Sequence, residues 1–299
     1  MTASQPWAGR RIAPFVPAAV GLLLFVVLAQ IRMQELWADG VLLVVAAVPA
    51  LLLIAMGLAA ARGDDSPRGA VTVLLVGGLT LAAVAIGRLG DIVAGHDFLT
   101  GGGTLTWMLA VFTALAAFLA NRTRSVACLL IAALAAVGLV LEAVNWMFDT
   151  EDIDVFRVLV TVSFAALFAA GLLVPGRAGT VLVGAAGVVV LVSAYLTSGF
   201  IFLGENTGWG WELVALLEGL ALLAYATRRL EPGPGYLAFF VLAFFVTTAA
   251  AGAVERGLVI DGEETETAER SLLGWPLAIA IATVVAGLWG ARQGRRQEA

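Results

Sequence analysis

Ten long apolar stretches alternate with short polar loops along this 299-residue chain, and that pattern leaves few folds open. Runs of about 18–22 apolar residues are long enough to cross a hydrocarbon core of roughly 30 Å as helices. They fall at 12–31, 40–61, 70–93, 103–120, 126–148, 154–174, 180–203, 208–226, 235–254 and 271–291. Soluble cores do not produce ten such runs, and the 61% hydrophobic content stands above the roughly 45–50% of globular chains. A membrane β-barrel would alternate apolar and polar positions, whereas these runs are continuously apolar. The expected fold class is therefore all-α: a polytopic integral membrane bundle of about ten transmembrane helices, forming one domain over residues 1–299.

Arginine sets the orientation, because the chain contains no lysine. Twelve of the 17 arginines lie in the termini and even-numbered loops: 10, 11, 62, 68, 122, 124, 177, 228, 229, 292, 295 and 296. Only Arg32, Arg88, Arg157, Arg256 and Arg270 lie toward the other side. The positive-inside rule places the arginine-rich side, with both termini, in the cytoplasm of a cell membrane. Fifteen of the 22 acidic residues lie in or beside the opposite, outer loops, notably at 149–154 and 261–269. That anionic face concentrates cations and repels anions, and it could also dock a protein partner. Arg10 and Arg11 precede the first span without a small-residue cleavage site after it, so this span is expected to be retained.

Several chemistries are excluded by what is missing. Without lysine there is no retinal or pyridoxal Schiff base and no Walker-A phosphate lysine. The single histidine, His96, sits in an outer loop, which rules out bis-histidine haem in the bundle and H-E-x-x-H zinc chemistry. No G-x-S-x-G elbow occurs. The acidic run 149–154 lacks the glycine and terminal glutamate of an EF-hand loop. No cofactor, metal site or catalytic set is expected, nor a nucleic-acid partner, and the reading leans away from an enzyme. The lone Cys128, within the fifth span, reads as a small core residue.

Spans two to five and six to nine can be overlaid at an offset of about 104–115 residues, a weak tandem repeat of 36–148 on 151–256. Trp107 then meets Trp211, Arg124 meets Arg228 and Glu142 meets Glu255. An even number of spans per repeat keeps both copies in one orientation. Pro232-Gly233-Pro234-Gly235 reads as a stiff turn between the eighth and ninth spans. Pro49 and Pro276 are candidates for kinked or broken helices.

Ionisable side chains at membrane depth cost energy, so each is a candidate site. Glu218 lies about ten residues from the outer end of its span, roughly 15 Å down and near the midplane. The surrounding leucines offset the roughly 2–3 kcal/mol insertion cost of a carboxyl. A carboxyl there is expected to be protonated or hydrated by a cavity, either of which suits a proton carrier. Thr247 and Thr248 sit at similar depth on the ninth span.

A second group collects toward the outer ends. Arg88 and Asp91 are spaced to pair on the third span, and Glu142 and Asn145 share a face of the fifth with Trp146. Arg157 lies one turn into the sixth span, and Glu212 one turn into the eighth beside Trp209 and Trp211. Were these helices neighbours, Arg88 and Arg157 would neutralise Glu142 and Glu212 around an outward-opening vestibule above Glu218. The function expected on these grounds is a secondary transporter or facilitator of a small cationic or neutral solute or ion, coupled to protons through Glu218. The alternatives are a membrane subunit or scaffold without transport of its own and, less in keeping with the residues, an enzyme acting on lipid-linked substrates.

Overall fold

In the computed structural model, residues 15–33, 36–62, 68–94, 102–149, 152–197 and 209–257 are described. Among them every regular element is a helix and there is no strand. We label them α1 (Phe15–Arg32), α2 (Asp39–Ala61), α3 (Arg68–Ala94), α4 (Gly102–Thr123), α5 (Val126–Phe148), α6 (Ile153–Leu173), α7 (Arg177–Thr197), α8 (Trp209–Arg229) and α9 (Pro232–Gly257). The five helices α2 to α6 are long and apolar enough to cross a membrane. The expected tenth span, 271–291, and Pro276 lie outside the described residues.

Helices are what lipid demands, since each backbone N–H and C=O must find its partner inside its own segment. Side-chain hydroxyls obey the same rule. Thr72, Thr80, Thr123 and Thr227 each donate to the carbonyl four residues back, at 2.7–3.0 Å, which satisfies them without any neighbour. Large apolar residues such as Phe25, Val44, Leu51, Phe118, Val162 and Phe239 are exposed, the arrangement of a surface meant for hydrocarbon rather than water.

The chain divides into two compact units, one up to Glu151 and one from Asp152. In the first, α2 packs on α3 and α4 on α5 as sequential pairs, with α1 laid against α3. The α2–α3 contact closes over glycine: a Cβ on Gly78 would lie 2.7 Å from Ile54 Cγ1 and 3.3 Å from the Ala50 carbonyl. Val26, Leu42, Leu74, Leu75, Leu79 and Leu119 fill the core, with Cys128 fully buried among them as expected. Ser125 caps α5 by accepting the Cys128 N–H. Pro49 does not break α2, which runs on through it.

In the second unit α6 pairs with α7 and α8 with α9, while α7 also packs on α9 and α8. Its core joins Phe164, Val183, Val190, Leu222, Tyr225 and Val241. Short links join the pairs at the arginine-rich end, with Gly176 at φ 72° between α6 and α7 and Leu230 at φ 57° between α8 and α9. The expected Pro232–Gly235 turn is instead the first turn of α9. Proline is at home at a helix start, where its missing N–H would have no partner anyway.

Candidate functional site

Buried polar side chains mark where each unit departs from a plain apolar bundle. The described ones are Gln30, Arg157 and Glu218.

In the first unit, Arg88 is the centre of a closed network near the arginine-poor end. Its Nε donates to Gln30 Oε1 at 2.7 Å and its Nη1 to Asp91 Oδ2 at 3.2 Å. Gln30 Nε2 in turn donates to the Leu42 carbonyl at 2.9 Å. One amide and one ion pair thus tie α1, α2 and α3 together. The i, i+3 pairing of Arg88 with Asp91 is as the spacing required. The expected partnership of Arg88 with Glu142 does not form: Glu142 is half-buried on α5 and makes no ion pair among the described residues. The physical reason is local, since Asp91 lies one turn from Arg88 on the same helix and Gln30 takes its remaining reach. Asn145 and Trp146 are exposed, with the indole lying over Gly103 at the start of α4.

In the second unit, polar groups occupy three levels along one face of α8. Trp211, Glu218 and Tyr225 are seven residues apart, hence about two turns each and close to one stripe. At the arginine-poor end, Asp154 Oδ1 accepts from Trp211 Nε1 at 2.9 Å and from Arg157 Nη1 at 3.1 Å. The Arg157 guanidinium also lies 5.8 Å from the Trp211 ring centroid, a cation–π distance. Asp154 remains largely exposed while Arg157 is buried, so the clasp runs from solvent into the unit. Asp152 caps α6 through the Asp154 N–H, which fixes the backbone that carries the Asp154 carboxylate in the first turn. The acidic run thus serves as caps and clasp, and no cluster of three or more potential metal ligands occurs among the described residues.

At the middle level, Glu218 is nine residues into α8, about 14 Å along a helix of roughly 31 Å. It is 8% exposed. The Thr161 hydroxyl of α6 is its hydrogen-bond partner, seven residues below Asp154, and carboxylate Oε1 is buried with no partner among the described residues. Gly219 lets α9 close in beside it, with Leu242 Cδ2 only 2.7 Å from where a Cβ would stand. The third level lies at the arginine-rich end. There the buried Tyr225 hydroxyl meets Thr180 Oγ1 at 3.4 Å, and Thr180 reaches Glu231 Oε1 at 3.5 Å.

Of the residues singled out from sequence, Arg88 joins Asp91 in one unit and Arg157 joins Trp211 in the other. The side chains of Glu212, Trp209, Thr247 and Thr248 lie outside the described residues, as does His96. Gln30, Thr161, Thr180, Tyr225 and Glu231 were missed. Tyr225 carried a readable signal in its seven-residue spacing from Glu218. Gln30 is visible in the sequence as an amide within an apolar span. Comparison of the chain with protein-family profiles, with curated proteins and with solved structures finds no match in any of the three.

Proposed function

We propose that this multi-pass membrane protein is a secondary transporter or facilitator of a small cationic or neutral solute, coupled to protons through Glu218. In the same reading it has ten spans, with both termini on the cytoplasmic side of the cell membrane. The observation that carries the proposal is the Glu218 carboxyl, buried midway along α8 with one oxygen lacking a partner among the described residues. A buried acceptor left empty costs about 1–3 kcal/mol, which a carboxyl retained only for packing would not incur. Carboxyls at this depth are instead what proton relays and solute sites are made of. The clasp of Asp154, Arg157 and Trp211 two turns above supplies the outer end of the approach, and the acidic outer loops favour cations. Arg88 and Asp91, closed into a satisfied network with Gln30, are assigned a bracing role. The duplication of 36–148 and 151–256 is kept as part of the proposal. What supports it is that paired neighbours recur in the same order, α2–α3 and α4–α5, then α6–α7 and α8–α9.

The test is accessibility at Glu218. With Cys128→Ala as background, Glu218→Cys is treated with membrane-impermeant maleimide from each face. Labelling from the outer face is the expected result. A folded variant that labels from neither face would defeat the transporter reading and favour a packed scaffold.

A further inference from the structure

The three polar levels of the second unit have a consequence beyond a midplane carboxyl. We infer that the second unit carries a proton path across the bilayer along the α6–α8 seam and the inner end of α7, entering at Asp154, passing Glu218 and leaving through Tyr225 and Thr180 to Glu231. The inference rests on the reading of Glu218 as a proton carrier and adds the ion, the route and the exit.

The geometry behind it is the register of two helices. On α8, residues 211, 218 and 225 share one stripe, and on α6, residues 154, 157 and 161 share another at i, i+3 and i+7. The α6 residues meet α8 at two of these levels: Asp154 and Arg157 at Trp211, and Thr161 at Glu218. Below Glu218 the stripe continues to Tyr225, where α7 supplies Thr180 and the α8–α9 link supplies Glu231. Both ends of the series are carboxylates, one largely exposed and one half-buried. Levels two turns apart are separated by about 10 Å, so the path requires two or three hydrogen-bonded waters to enter between them when it conducts.

Each member can take a proton on one side and release one on the other. A Glu218 carboxyl holding its proton on the other oxygen takes the incoming proton at Oε1, which has no partner among the described residues, and releases the one it held. The hydroxyls of Tyr225 and Thr180 accept on a lone pair while donating their own hydrogen onward, so each ends neutral. No redox partner is needed. Arg157 stands at the entrance bound to Asp154, and a fixed positive charge there excludes metal cations more strongly than it slows a proton passed between hydrogen-bonded groups.

The experiment uses the full chain in liposomes with entrapped pH dye, driven by a valinomycin–potassium diffusion potential, with protons as the probe. The natural chain is expected to pass protons at least about tenfold faster than protein-free vesicles. Glu218→Gln should return the flux to the vesicle level. Tyr225→Phe keeps the ring that packs on Phe168 and loses only the hydroxyl, and it should cut the flux by about fivefold or more. Glu231→Gln should act in the same direction, and Thr80→Val in the first unit should leave the flux unchanged. A natural chain no faster than bare vesicles overturns the inference, while maleimide labelling separately decides the reading of Glu218. Flux lost in Glu218→Gln but intact in both Tyr225→Phe and Glu231→Gln leaves the carboxyl in place and overturns the exit route.

Discussion

Replacing Gly171 by alanine tests how tightly the α6–α7 pair is built. A Cβ at Gly171 would stand 2.6 Å from Val183 Cγ2, 2.8 Å from the Gly179 carbonyl and 3.1 Å from Val183 N. Two of these three atoms are backbone, and the third belongs to a β-branched side chain with little rotamer freedom. Relief therefore requires α7 to move by several tenths of an ångström to reach ordinary contact near 3.4 Å. On the reverse side of the same contact, a Cβ on Gly179 would run into the Val174 carbonyl, so α7 has no slack toward its own N-terminal turn. Overpacking of this kind costs about 1–3 kcal/mol, and we take about 2. Gly184→Ala, on the same helix, is the internal control, because nothing lies within 4 Å of its added methyl. There the substitution removes only the glycine penalty and should stabilise by about 0.5–1 kcal/mol. Thermal unfolding in detergent, read by helical circular dichroism, compares the two. Opposite signs are expected, separated by about 2.5 kcal/mol. Equal effects would refute the close crossing, and a stabilised Gly171→Ala would show that α6 and α7 do not meet there.

Three further outcomes follow from the same structure. Leu230→Gly should stabilise by up to about 1 kcal/mol, since leucine at φ 57° holds a left-handed conformation that glycine adopts freely, and loss of thermal stability would count against that turn. Gln30→Leu removes the acceptor of Arg88 Nε and the donor to Leu42, so it should destabilise by about 1–2 kcal/mol in a denaturant titration, whereas Glu142→Gln should stay within about 0.5. Glu218→Leu should stabilise the protein by about 1 kcal/mol in the same assay while abolishing proton flux, because an unpartnered buried oxygen is replaced by a side chain matched to its surroundings; a large destabilisation would make Glu218 a structural residue.

Helix positions were the most legible part of the chain. The expected 126–148 coincides with α5, and 40–61 and 70–93 lie within two residues of α2 and α3 at either end. Lipid leaves the backbone no option but helix, so hydropathy alone locates it. The error at Pro232–Gly235 arose because proline and glycine signal a turn in water yet are tolerated in the first helical turn. Side-chain partners were legible only within a helix. Arg88–Asp91 was readable because three residues along one helix set a distance, and Arg157–Asp154 was equally readable but passed over. Thr161 beside Glu218 and Gln30 beside Arg88 depend on which helices meet and at what rotation, which no single-span pattern contains.

The opposite side of α8 sets Glu218 apart from an incidental polar residue. Leu213 and Leu217 are exposed on α8, while Glu218, Leu222 and Tyr225 are buried, so the helix keeps its polar stripe inside the protein and offers leucine outward. A helix under no functional demand would gain insertion energy by losing the carboxyl. The proposed duplication sharpens the contrast. In the register that sets Trp107 on Trp211, Ala114 falls on Glu218, and the polar side chain at that depth of α4 is Thr113, whose buried hydroxyl has no partner among the described residues. The first unit then has the same helix pairs without the charge at that position, and the half-buried Arg88 is closed into a network with Gln30 and Asp91. On the proposed reading the proton path lies in the second unit, and Ala114→Glu alone would not transfer it, since in that register Asn121 and Ala127 stand where the second unit has Tyr225 and Glu231.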